Sequence, residues 1–224
     1  MRNRVRGKDV DPLRCPRCRL HTDLCACDLM VPIQISTKLR VIAHMGEVRK
    51  PTNTGQLAVA CVEGATLCLR GREDIPNDPV RWDPASTPLF LFPAPDAIPL
   101  NVWRAQHPDI TDVTLVVPDG TWRQAKRIKR RVPGLGAIQV VKLSTHQGSA
   151  YRLRRSHRDD HLATLEAIAM ALGILESPAI EERLLYVFRA VVDRALWSNG
   201  RLAASEVTGG VPDGARQDGP REIA

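Results

Sequence analysis

No unbroken apolar run in the sequence approaches the length needed to span a bilayer, so a helical membrane protein is excluded. The basic start, Met1-Arg2-Asn3-Arg4-Val5-Arg6, is not followed by the apolar core of a signal peptide. The cytoplasm is therefore the expected location, with no membrane partner. Internal repeats are also missing, which argues against solenoids and propellers. Acidic charge is in short supply: 25 Asp and Glu face 32 Lys and Arg, a formal +7 and a pI near 9.4. That surplus suits a polyanionic partner without proving one. What is present is ordinary for a globular protein: 43% hydrophobic residues in a chain of 224, enough for one main domain and a small appendage.

The six cysteines point to metal rather than disulfides in a chain of this kind. Cys15-Pro16-Arg17-Cys18 and Cys25-Ala26-Cys27 offer four closely spaced thiolates, the complete shell of a tetrahedral Zn²⁺ with no open position. Such a metal is structural. His21, between the pairs, is an alternative ligand but reads better as a solvated loop histidine. Cys61 and Cys68 lie in apolar patterns and read as core. Residues 1–37 are expected to be this metal-held appendage, 38–199 the catalytic domain and 200–224 a disordered tail rich in Gly, Pro, Asp and Arg.

Strand patterns at residues 39–45, 65–69, 89–92, 113–117 and 137–141 alternate with helices. Helices are expected at 53–62, capped by Thr52 or Asn53, at 123–131, at 161–172, and at 178–197 behind Ser177 and Pro178. This order predicts an α/β domain with a mainly parallel sheet. The final helix reads as core or as a subunit interface, so a homo-oligomer stays open. Residues 70–87 lack periodicity and suggest a functional loop.

The most informative stretch is Val113-Thr114-Leu115-Val116-Val117-Pro118-Asp119-Gly120-Thr121-Trp122. Val113 to Val117 read as a strand buried on both faces, and ligands of open α/β folds bind at the carboxyl ends of such strands. A turn at Asp119-Gly120 with a capping box from Thr121 to Gln124 explains the same letters without chemistry. Two features favour a site: an indole placed beside the turn, and the cations Arg123, Lys126, Arg127, Lys129, Arg130 and Arg131 that follow it. Tyr151, Arg152, Arg154 and Arg155 form a second basic segment, either a solvated edge or an extension of a phosphate-binding surface.

At these residues the chain resembles the DTW-domain family, whose signature is D-x-T-W. The resemblance extends to Lys50-Pro51-Thr52-Asn53-Thr54-Gly55, Leu91-Phe92-Pro93, Tyr151-Arg152-Leu153-Arg154 and Thr164-Leu165-Glu166-Ala167, in the family's order. It implies a transferase that moves the 3-amino-3-carboxypropyl group of S-adenosylmethionine onto N3 of a tRNA uridine, within a SPOUT-like sheet knotted at the cofactor site. It also implies a cofactor pocket drawn from Thr52, Asn53, Thr54, Leu91, Pro93, Asp119, Thr121, Leu153, Arg154, Thr164 and Glu166. Asp119, Thr121 and Trp122 are the expected catalytic residues. Asp119 is either the acceptor of the N3 proton or a holder of the donor's amino group. Arg123, Lys126, Arg127, Lys129, Arg130, Tyr151, Arg152 and Arg155 are expected to bind RNA. An RNA methyltransferase or a non-catalytic RNA-binding zinc protein are the competing possibilities.

Overall fold

The computed structural model describes residues 13–71, 79–144, 153 and 162–217. The strands are β1 (Lys38–His44), β2 (Thr66–Arg70), β3 (Thr87–Leu91), β4 (Ile98–Pro99), β5 (Val113–Asp119) and β6 (Gln139–Lys142). They form one sheet in the order β2-β1-β5-β3-β6-β4, and each neighbouring pair is parallel. The helices are α1 (Met45–Val48), α2 (Thr54–Cys61), α3 (Leu100–Gln106), α4 (Trp122–Arg131), α5 (Thr164–Leu175) and α6 (Pro178–Ser198). The expected class, a mainly parallel α/β sheet flanked by helices, is what the chain forms.

Alternation along β5 builds both cores. Val113, Leu115 and Val117 join a large apolar cluster with α2, α5 and α6, whereas Val116 joins a smaller one with Ile128 of α4. Thr114, of the same parity as Val116, is buried and shares its hydroxyl with Ser86 at 2.7 Å. Parity then dictates a further fact. Asp119 lies two residues beyond Val117, so its carboxylate follows the large cluster's face, the side of α2 and α5.

The chain order reverses between β1 and β5. From β1 it moves outward to β2, and from β5 through α4 to β6 on the opposite side. A crevice at such a switch point, outside the carboxyl ends of the strands, is where open α/β sheets take ligands. Ala43 of β1 pairs with Asp119 of β5 there.

Several boundaries differ from expectation. Met45–Val48 is a short helix, so the strand expected to reach residue 45 ends at His44, whose ring accepts the Gly46 N–H at 3.1 Å and caps the helix. β4 and α3 were not foreseen. Ser177 precedes α6 without a side-chain cap. The knuckle residues Cys18, Leu20, Leu24, Met30 and Ile33 enter the large cluster, so this segment shares the main core.

Residues 201–217, expected as a disordered tail, fold back on the molecule. Val207 is buried, Thr208 donates to Asp193 at 2.7 Å, and the Arg194 guanidinium donates to Gly210 O and to Cys25 O. A composition rich in Gly and Pro signals irregular backbone, but a buried arginine with five donors recruits carbonyls from it. Residues 218–224 lie outside the described residues. Among the described residues, no helix is long and apolar enough to cross a membrane.

Candidate functional site

Asp119 is 3% exposed and joins three elements. Its Oδ2 accepts from Asn53 Nδ2 at 2.5 Å and its Oδ1 from Thr164 Oγ1 at 2.5 Å. Asn53 is at the same time the cap of α2, with Oδ1 accepting the Gln56 N–H at 2.8 Å. Leu165 N–H donates to Thr54 Oγ1 at 3.4 Å, which draws the starts of α2 and α5 together. Two helix N-termini thus converge on one buried carboxylate. The approach is close enough to require glycine at 55: a Cβ there would lie 2.7 Å from Asp119 Cγ.

The surrounding loop is fastened too. Glu47 is buried and pairs with Lys50 at 2.8 Å, while Gln56 Nε2 donates to Val48 O at 2.5 Å. Glu166 is buried and accepts the Ala163 N–H at 2.7 Å, satisfying an open donor at the start of α5. Asn53, Thr54, Asp119, Thr164 and Glu166 therefore share one network. Glu47 and Gln56 are members that the residue pattern did not single out. An acid near a strand end was the available signal for Glu47.

On the far side of the turn, Thr121 and Gln124 form the reciprocal capping box expected of them. Trp122 is 45% exposed and lies against Phe92, ring centres 5.8 Å apart, which ties the ends of β3 and β5 together. Arg123, Lys126, Arg127, Arg130 and Arg131 of α4 are exposed. A depression of about 390 Å³ beside α4 is lined, among the described residues, by Arg123, Lys126, Arg127, Lys129 and Arg130.

Lys129 is held differently from the other α4 cations. Its ammonium donates to Leu135 O at 2.7 Å and Gly136 O at 2.9 Å and lies 6.0 Å from the Phe90 ring centre. Burial holds its pKa below the usual lysine value. Its position in the helix turns it toward the sheet.

The sulfurs of Cys15, Cys18, Cys25 and Cys27 all lie within 4.8 Å of one another, and no histidine belongs to the group. Cys15 and Cys27 are 3.4 Å apart and Cys18 and Cys25 3.8 Å. A tetrahedron of Zn–S bonds of about 2.3 Å has edges of about 3.8 Å, so the cluster could hold that ion. Burial pushes the Cys18 thiol up to about 11. Cys61 is core, as expected.

Leu91 is buried in the large cluster, as is Leu153. Tyr151, Arg152, Arg154 and Arg155 lie outside the described residues, as do residues 72–78 of the loop expected over 70–87.

A family model described as the DTW domain matches residues 12–196. The chain is 30% identical over 199 residues to a tRNA-uridine aminocarboxypropyltransferase 2 of Macaca fascicularis, covering 86% of this chain and 66% of that protein. The mouse protein of the same name is 31% identical over 201 residues with the same coverage. That of Drosophila melanogaster is 29% identical over 181 residues, 77% of this chain and 70% of that protein. The chain thus spans about two thirds of the length of these relatives. No solved structure matches.

Proposed function

This chain belongs to the DTW-domain family, and from that we propose that it is a tRNA-uridine aminocarboxypropyltransferase. One observation carries the reading. Segments more than a hundred residues apart, at Asn53-Thr54 and Thr164, meet on Asp119 at the strand-order reversal, beside the Phe92–Trp122 ring contact. A merely structural turn-and-cap has no use for all of these at the carboxyl end of one strand.

S-adenosylmethionine supplies the aminocarboxypropyl group in this reading, leaving as methylthioadenosine. Leu91, Pro93 and Leu153, with Thr52, Thr121 and Arg154, would wall its pocket. Asp119 would act first as a positioning residue, a fixed anion that sets the starts of α2 and α5 against each other. Its alternative role, taking the N3 proton of the uridine, requires the loops around Asn53 and Thr164 to open, since the carboxylate is buried between them. Trp122 presents an exposed ring on which the base could stack. A zinc ion held by Cys15, Cys18, Cys25 and Cys27 would be structural. Location in the cytoplasm follows from tRNA as substrate.

Purified protein incubated with bulk tRNA and S-adenosylmethionine is expected to yield methylthioadenosine and a uridine enlarged by the aminocarboxypropyl group, both identified by mass spectrometry. Release of S-adenosylhomocysteine with a methylated base would make it a methyltransferase, and RNA binding without donor consumption would end the enzyme reading. Asp119→Asn keeps the shape but sets an amide donor against Asn53 or Thr164. It should lower turnover by about a hundredfold or more. Near-normal turnover would remove Asp119 from the site.

A further inference from the structure

α4 presents two unlike sets of cations. Residues 123, 126, 127 and 130 stand at i, i+3, i+4 and i+7 and so share one helix face. Arg123, Lys126, Arg127 and Arg130 are all exposed on it. Ala125 and Ile128 mark the buried face. Lys129 stands about 120° from the middle of the cationic face, next to the apolar one, and spends its charge on two carbonyls of the following turn. From Arg123 to Arg130 the row is about 10 Å long. The row is long enough to lie along neighbouring phosphates of a single strand.

Uridine N3 carries the hydrogen that pairs with adenine, so a base modified there must be unpaired when it reacts. The major groove of an RNA duplex is too deep and narrow to admit a helix, and unpaired nucleotides are instead held by ring stacking. Trp122, half-exposed and braced by Phe92, opens the helix that carries the cationic row.

We propose that α4 is a reader of single-stranded RNA backbone, in which Arg123, Lys126, Arg127 and Arg130 bind consecutive phosphates next to a base stacked on Trp122, while Lys129 takes no part. This rests on RNA being the partner of the site and names the form in which it is bound: an unpaired loop, gripped by its backbone.

The test measures binding of the full chain, without S-adenosylmethionine, to a fluorescein-labelled 12-nucleotide oligouridylate and to a 12-base-pair RNA duplex across a salt series. The plot of log affinity against log salt should flatten by about 0.7 for each of Arg123→Gln, Lys126→Gln, Arg127→Gln and Arg130→Gln. Lys129→Gln should leave that slope unchanged and lower the melting temperature instead. Trp122→Ala should weaken oligouridylate binding about tenfold with no change in slope. The duplex should bind more weakly than the single strand. A slope loss in Lys129→Gln equal to the others, unchanged slopes in the other four, or tighter binding of the duplex would each overturn the proposal. Because no donor is present, a protein that transfers no group can still pass this test, and a true transferase can fail it.

Discussion

At the scale of single residues, the contact between Gly55 and Asp119 is the one most sensitive to change. Alanine is ordinarily preferred over glycine inside a helix by about 1 kcal/mol. At position 55 the added methyl would stand 2.7 Å from Asp119 Cγ and 2.9 Å from Oδ2, and neither partner is a free side-chain end. Gly55→Ala is therefore expected to reverse the usual sign and destabilise by about 1–3 kcal/mol, read as a lower urea midpoint at unchanged slope. A midpoint equal to or above the parent's would mean that the carboxylate moves aside at no cost, and the rigid joint described here would not exist. The burial of Asp119 was open to inference from alternation, since Val117 already faced the core. Its partners were not, because no local pattern links residues 53, 119 and 164.

At the scale of elements, the clasp between α5 and β1 gives a pH-dependent expectation. Glu176 ends α5 and accepts hydrogen bonds from Ser36 N at 3.2 Å, Thr37 N at 2.6 Å and Thr37 Oγ1 at 2.5 Å, just ahead of β1. Burial opposes its ionisation, yet the Thr37 and Ser36 donors hold its carboxyl below the usual 4.5. A depressed folded value means that the stabilisation is complete above 4.5 and is lost as pH falls through the lower folded value. Glu176→Gln should cost about 1–2 kcal/mol at pH 7, with partial exposure limiting the effect. The gap in melting temperature between parent and variant should narrow at pH 3. A gap that stays constant with pH would assign the clasp to shape rather than charge. Elements written in short-range signals were legible beforehand: the Asn53 cap of α2, the Thr121–Gln124 box of α4 and the alternation of β5. α3 escaped because only Leu100 and Trp103 mark its buried face, too few to establish a period. β4 is two residues long, below any pattern. The clasp itself joins residues 140 positions apart and exists only once the sheet has formed.

At the scale of the whole molecule, Arg194 links the cysteine knuckle to the folded-back tail. It is 2% exposed and donates to the Cys25 carbonyl on one side and to Gly209 and Gly210 on the other. With a metal in the knuckle, its removal should be felt in both partners, because metal binding and local folding are one equilibrium. Hydrogen exchange after chelation is expected to show lost protection at residues 13–33 and 201–217 while the central strands keep theirs. Protection of 201–217 that survives chelation would mean the tail docks on α6 alone. The family match stops at residue 196, short of this tail. A chain trimmed to that limit would strip the Arg194 guanidinium of its two glycine carbonyls and bare the side chains of Tyr186 and Leu29, against which Gly209 packs. Such a fragment would still carry the residues gathered around Asp119, yet it would be sticky in solution, and its failure in an assay would report clumping and not chemistry.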